Sequence, residues 1–556
     1  MAWQPLVNKP TFSPSTMLLL TDGSVMCHEV DKNGHGTNRW RRLTPDENGS
    51  YMNGSWSAIA PMHHTRLYYA SAVLNDGRVF VAGGEYSDAG KWTKTAEIYD
   101  PLSDNWSEIA APAGWVKIGD APCTVLPDGR VLLGNIFNQQ TAIYDPVAGT
   151  WSPSASKGDP SAEESWVLLS DDTILTVECS APPRTEKYVL ATNAWIPTGD
   201  TPNDLVEAAS YEIGAGVVLP DGRAFFIGAT PYTALYTPGA KPADTGRWAA
   251  GPAIPRDVNG KICGAKDAPA CLMPNGHVLI TVGPVDDSSP VPTYFYEFDG
   301  KDLVKVPDAP NTGAFPFEGR MLLLPTGEIL YASGTPALYA YTPTGSYRDT
   351  WRPEILSLPT DLTAGLSYTL VGRQLNGLSQ AVGYGDDASA ATNYPIVKLR
   401  SANDRIFYCR TFGHSTMGIG TGIAIHTTNF FVASDVPPGS YELTVIANGI
   451  PSRGTMVSVL GAVASFEWEA SWTRLVESLA DGPIWSIGTN GPIAVDSGEP
   501  KLRAEVRAAR RDIVKAIKVL QKVGRKLHHR RLASARTAKP AIDPVLFEFA
   551  RATQKT

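Results

Sequence analysis

An all-β protein, a seven-bladed propeller followed by a β-sandwich, is expected from three features of this chain. The first is a phrase that recurs through residues 1–330, an apolar run closed by Asp-Gly or a close variant. It appears as LLLTDGSV (18–25), AVLNDGRVF (72–80), TVLPDGRVLL (124–133), VVLPDGRAFF (217–226), CLMPNGHVLI (271–280) and LLLPTGEIL (322–330), with a weaker copy VLLSDDTIL (167–175). The turn residues Asp22, Asp76, Asp128, Asp171, Asp221, Asn275 and Thr326 are 54, 52, 43, 50, 54 and 51 residues apart. A period near fifty with β-patterned repeats means one propeller blade per copy. The second feature is an aromatic set after each turn, such as AEIYDPLSDNW (96–106) and TAIYDPVAGTW (141–151). The third is a change of pattern after WRPEI (351–355), where short alternating strands replace the fifty-residue repeat.

Each copy predicts a whole blade. Asp-Gly between alternating apolar runs joins two strands in a tight hairpin, because glycine accepts the positive φ that the turn needs. The Tyr of Tyr-Asp-Pro and the following Trp then wedge between neighbouring blades, supplying the bulk that buries each sheet face. The outer strands start at WSAI (56), WSEI (106), WSPS (151) and WIPT (195), and WQPL (3–6) reads as one more outer strand with no blade before it. That strand is expected to complete blade seven and close the ring, which removes exposed edges. The domain reading is propeller 1–350, sandwich 351–460, and a Trp-rich segment with a short helical basic tail 461–556.

Composition agrees. The 51 Gly and 44 Pro with 19% charged residues suit many short strands and turns. Six Cys (27, 123, 179, 263, 271, 409) are too few and too scattered for a disulfide framework, leaving Cys263 and Cys271 as a bridge or as two buried thiols. No apolar stretch of membrane-spanning length occurs, and MAWQPLVNKP lacks the features of a signal peptide. The chain as written reads as soluble and cytoplasmic, or as secreted if it is a processed mature form. The sequons at Asn48, Asn53 and Asn105 matter only in the second case.

The strands ILSL, SYTLVG, PIVKL, RIFYCRTF, AIHTTNFFV, SYELTVIANG and GTMVSVL after residue 352 suggest an immunoglobulin-like sandwich. A seven-bladed kelch propeller followed by such a domain, ending in PPGSYELTVIANGIPS, resembles the galactose oxidase and glyoxal oxidase family over about residues 3–460. The resemblance implies one copper held by two Tyr and two His, with one Tyr joined to a Cys as a radical cofactor. Tyr68, in RLYYASAVLNDGRVFVAGG (66–84), takes the place of the cross-linked Tyr, and Tyr86 that of a stacking aromatic. The Cys position falls on Pro14, and the Tyr-His pair on Phe317 and Glu318. The last His falls on His414 in TFGHSTMGIGTG or, in another register, on Asn403. A phenoxyl radical needs its thioether and copper favours imidazole, so a protein without a working copper-radical centre is expected. A copper-dependent alcohol or aldehyde oxidase with an altered ligand set, and a protein-interaction scaffold, remain as alternatives.

In kelch propellers the residue about eight before each turn starts the innermost strand, near the axis. That offset selects Pro14, Tyr68, Asp120, Glu163, Ile213, Asp267 and Glu318, with Glu212 beside the fifth. Four carboxylates and a tyrosine at one axis, joined by His414 from the sandwich, would raise some carboxyl pKa values or bind a cation. The cation would be hard, calcium or magnesium, with Tyr68, Glu318 and His414 as candidate ligands. Tyr68, Asp120, Glu163, Asp267 and Glu318 equally suit general acid–base chemistry on a polyol or sugar. His63, His64 and Arg66, just before blade two's inner strand, with Glu212 and Tyr86, are the candidate ligand contacts. Against this stands the simpler reading, in which acidic residues line a solvated channel.

Residues 501–539 hold 14 Lys or Arg against Glu505 and Asp512, so the overall charge of −8 leaves −20 over residues 1–500. Val506, Ile513, Ile517, Leu520 and Leu527 recur at helical spacing, which predicts a basic amphipathic helix that Gly524 would break. It would bind the protein's own acidic surface, a partner protein or anionic lipid. Nucleic acid fits worst, for want of stacking aromatics or a recognised motif.

Overall fold

In the computed structural model, residues 3–87, 90–285, 291–310, 313–382 and 390–461 are described, together with the backbone of 485–488 and 491–494. Residues 1–462 form one compact unit. The first part of that unit is a ring of seven antiparallel sheets. The innermost strands are Ser13–Leu19, Ala70–Val73, Cys123–Val125, Val167–Leu168, Gly216–Val218, Ala270–Leu272 and Arg320–Leu323. Trp3–Pro5 pairs with Leu338–Tyr341 (Trp3 opposite Tyr341), so the first strand of the chain is the outermost strand of blade seven. The ring closes as expected.

Each innermost strand ends in the repeated turn. Gly23, Gly77, Gly129, Gly222, Gly276 and Gly327 all adopt positive φ there, and in the degenerate fourth copy Asp172 does so instead, at φ 66°. Asp is among the few residues with a side chain that tolerate this region. The preceding residue caps the turn from its side chain, as when Asp76 Oδ1 accepts the Arg78 amide at 3.0 Å and Asp171 Oδ1 that of Thr173 at 3.2 Å.

The repeated aromatics pack as the spacing predicts. Tyr99 meets Trp106, Tyr144 meets Trp151, Tyr188 meets Trp195 and Tyr236 meets Trp248 at centroid distances of 5.2, 5.0, 5.4 and 5.1 Å. Phe80 of blade two stacks on Tyr144 of blade three at 5.6 Å, and Phe225 of blade five on Phe298 of blade six at 4.0 Å. Burying each such ring contributes about 2–3 kcal/mol, and repeating it at every seam holds the ring together.

The sandwich expected after residue 352 is a single nine-stranded sheet curled about its own core of Leu370, Val397, Leu399, Phe430, Leu443, Val445 and Val457. One strand, Ile406–Phe412, explains the continuity. Its first half pairs with Val397–Arg400 and its second half, from Arg410, with Asn429–Phe431. A strand that changes partner at a corner joins what would otherwise be two sheets.

This sheet docks on the propeller face that carries the turns. The Thr411 amide donates to Thr21 O at 3.1 Å, Gly413 to Asn75 O at 2.9 Å and Met417 to Pro127 O at 2.8 Å. The approach is close. A Cβ on Gly23 would lie 2.6 Å from the Tyr408 ring, and one on Gly276 2.6 Å from Trp351, so these turns need glycine for space as well as for φ. From the same domain a segment enters the ring. Ala381 O accepts the Leu272 amide of blade six at 3.0 Å, and Gln380 contacts Thr124 of blade three and the Leu168 amide of blade four. The Tyr394 hydroxyl donates to Leu19 O of blade one. Residues 378–382 and 390–394 therefore fill the middle of the channel.

The cysteines at 27, 123, 179, 263, 271 and 409 are buried and outside disulfides, so Cys263 and Cys271 form no bridge. No helix among the described residues is long and apolar enough to cross a membrane. Residues 463–556 form a second unit, of which a backbone hairpin, Trp485–Gly488 with Gly491–Ala494, is described. The expected basic helix of the tail lies outside the described residues.

Candidate axial site

At the face opposite the turns, the seven positions eight residues before each turn are not equivalent. Pro14 is buried within its strand, paired with Glu29, and Ile213 is wholly buried core. Three others share an unusual backbone. Tyr68, Glu163 and Asp267 adopt φ of 50°, 57° and 53°. Outside glycine this region is sparsely populated and costs on the order of 1–3 kcal/mol per residue. Tyr86, at φ 49°, repeats it on a neighbouring hairpin.

That hairpin, Glu85–Ser87 with Gly90–Trp92, lies beside Tyr68 through the Leu67–Glu85 bridge. It carries Tyr86, which is 51% exposed and whose ring meets that of Tyr68 edge-on at 6.4 Å. The Tyr86 hydroxyl is held above its ordinary range, first by burial and then by Glu85, Asp120 and Glu163. Residues from blades two, three and four thus act on one another electrostatically at this face.

From blade seven comes a residue that the sequence offset does not select. Arg320 starts the innermost strand, is 3% exposed, and places its guanidinium carbon 5.8 Å from the centre of the Tyr68 ring. It donates to the carbonyls of Phe317 and Gly319, each at 2.7 Å, and so fixes the short 3₁₀ turn Pro316–Glu318. Glu318 accepts the Phe315 amide at 3.2 Å. Burial pushes the Glu318 carboxyl up, opposed by that amide and by Arg320. The cause is desolvation, not the carboxylate crowding expected from the sequence. The signal for Arg320 was present in FEGRMLLLP, where a charge opens an otherwise apolar strand.

The remaining candidates fall into other settings. Arg66 is fully buried in an ion pair with Glu97 at 2.9 Å and also donates to Thr95 O at 2.8 Å. His63 joins the same Glu97 at 2.8 Å, and His64 lies 3.4 Å from Glu108. These three organise the approach to blade two, with Arg66 facing inward and not at the rim. Glu212 pairs with Lys266 at 3.2 Å and accepts the Ser210 hydroxyl at 3.0 Å.

His414 is not inserted into the axis. Its carbonyl accepts the Asn75 amide at 2.7 Å and its Nδ1 lies 2.9 Å from Thr428 Oγ1, at the turn end of blade two. The reason is topological. His414 follows the strand that docks on the turns, whereas the residues entering the channel are 378–382 and 390–394. Asn403, the other register, is in an exposed turn of the sheet domain.

Tyr68 is accompanied by the guanidinium of Arg320, which repels a second cation. Among the described residues no three His, Cys, Asp or Glu side chains come together as a metal-holding group.

Comparison with known proteins points to the same repeat. The pattern described as Kelch motif matches residues 66–112. The kelch repeat-containing protein kel-10 of Caenorhabditis elegans is 34% identical over 110 residues, 18% of each chain. A galactose oxidase of Gibberella zeae is 40% identical over 55 residues, 10% of this chain and 8% of that one. The matches span between 8% and 26% of the curated relatives' own lengths. Among solved structures, a fungal alcohol oxidase of the AA5 family in complex with copper aligns over 82% of this chain and 99% of its own. The sequence identity is 16% and the TM-score 0.47.

Proposed function

We propose that this chain, a seven-bladed propeller carrying a kelch motif, is galactose-oxidase-like and that its axial face binds a small polyhydroxylated or otherwise polar ligand without a copper-radical centre. The observation that carries the reading is the shared strain. Tyr68, Glu163 and Asp267 occupy one structural position in three blades, and all three hold a side chain in a conformation that glycine would adopt at lower cost. Strain of this kind persists where the side chain is needed.

The chemistry fits a sugar-like ligand. Tyr86 offers an exposed face for stacking on C–H groups. Asp120, Glu163 and Asp267 accept hydroxyl protons, and Arg320 polarises the Tyr68 ring from behind. Glu318, its carboxyl raised by burial, is suited to donate a proton to a ligand oxygen. Turnover by acid–base chemistry would run through this group. The donor set argues against the oxidase alternative.

The test is binding of a panel of neutral monosaccharides and polyols, followed by saturation-transfer NMR. At least one is expected to bind, and Glu318→Gln and Tyr86→Ala should each weaken it by about tenfold while thermal unfolding stays unchanged. A panel that gives no signal, or binding indifferent to both substitutions, overturns the proposal.

A further inference from the structure

Among the described residues, blade two alone carries a separate two-stranded hairpin beyond its four strands. The hairpin raises Trp92 beside Tyr86, and Trp92 meets Phe137 of blade three edge-on at 5.3 Å. Phe137 is 42% exposed. Two ammonium groups lie on the same indole. Lys91 Nζ is 4.3 Å and Lys117 Nζ 5.0 Å from the Trp92 ring centre, and they also approach Tyr86 (5.8 Å) and Phe137 (5.5 Å). The two cations are therefore within about 10 Å of each other, the screening length at 0.1 M salt. Glu85 pairs with Lys91 at 3.4 Å, whereas Lys117 has no ion-pair partner among the described residues.

We propose that Trp92, Phe137, Lys91 and Lys117 form a subsite for an acidic sugar unit, next to the axial site and reached across Tyr86. The inference deepens the axial reading and rests on it for the direction of the ligand. A neutral, hydroxyl-rich unit suits the carboxylates of the axis. A neighbouring unit bearing a carboxylate suits the lysines. The exposed phenyl of Phe137 can stack on a sugar ring, the half-buried Trp92 indole supports the two ammonium groups, and a cation held over an aromatic ring is partly desolvated, which strengthens its pairing with an anion. A strongly anionic polymer is disfavoured, because residues 1–500 carry −20 and Glu85 stands beside the platform.

Calorimetry with cellobiouronic acid and cellobiose, which differ only in one carboxylate, tests this directly. Pentaglutamate and oligothymidylate serve as the peptide and nucleic-acid arms. The acidic disaccharide should bind at least tenfold more tightly than the neutral one. Lys117→Gln should abolish that preference, as should 0.5 M salt, and Trp92→Ala should weaken both sugars. Lys117 is exposed, so its substitution leaves the fold intact even if Trp92→Ala does not. If Lys117→Gln removes the preference while Glu318→Gln changes nothing, the subsite stands and the axial reading falls. Equal binding of the two sugars, no binding of either, a preference unmoved by Lys117→Gln, or tighter binding of the peptide or oligonucleotide overturns the subsite.

Discussion

Arg320 sits behind Tyr68, its guanidinium carbon 5.8 Å from the ring centre, and joins blade seven to blade two across the axial face. The same side chain bonds the carbonyls of Phe317 and Gly319 and lowers the carboxyl of Glu318 against the effect of burial. One residue thus sets the turn, the ring and the protonation of its neighbour.

Arg320→Met keeps the length of the side chain and removes its charge and donors. Two buried carbonyls then lose a charged partner, so stability should fall by about 2–3 kcal/mol, read from denaturant unfolding. The Glu318 carboxyl should titrate at higher pH than in the parent, because the cation that favours its ionised form has gone. Infrared titration of the carboxyl, with Glu318→Gln to identify its band, checks the direction. A downward shift would refute the assignment.

Strain at Glu163 predicts an inverted order of substitutions. Glycine adopts φ near 57° at little cost, whereas alanine keeps a Cβ, so Glu163→Gly should be more stable than Glu163→Ala by about 1 kcal/mol. The difference in urea midpoint measures it. Both should weaken ligand binding, since both remove the carboxylate. Equal stability of the two would mean that the backbone relaxes and that no strain is stored there.

Acid stability should report His414. Burial lowers its pKa from the ordinary 6.5 to about 3, so the folded protein keeps it neutral while the unfolded chain protonates it. Its contribution is therefore complete above pH 6.5 and is lost as pH falls from 6.5 toward 3. His414→Gln, which cannot be protonated, should flatten the decline of stability across that window. An unchanged slope would show that His414 titrates normally and is solvent-accessible.

The propeller was legible because its information is local and repeated. Asp-Gly at positive φ, alternation of apolar residues and a Tyr–Trp pair per blade each act within about fifty residues, and the ring copies them seven times. Even the degenerate turn at Asp171-Asp172 follows the rule, with Asp172 in place of glycine. Closure by Trp3–Pro5 was legible for the same reason, as an outer strand lacking its blade. The sheet domain was legible as strands but not in its pairing, because the change of partner at Arg410 depends on how the strand bends over a corner.

The axial site shows the boundary most clearly. Counting eight residues back from each turn picks out Tyr68, Asp120, Glu163, Asp267 and Glu318 as equivalent positions, since strand length and turn geometry are properties of the chain itself. Which of these side chains act together was decided in three dimensions. Arg320 reaches Tyr68 only because closure of the ring leaves a single blade between blades seven and two, and Trp92 meets Lys117 and Phe137 only because adjacent blades bring their loops together. His414 was assigned to the axis on sequence order, yet the docking of its strand against Asn75 places it at the other face. Short-range patterning determines where each residue stands in its own blade. Long-range packing of blade on blade, and of sheet on turn, determines its neighbours, because contacts between residues hundreds of positions apart leave no periodic trace in the sequence.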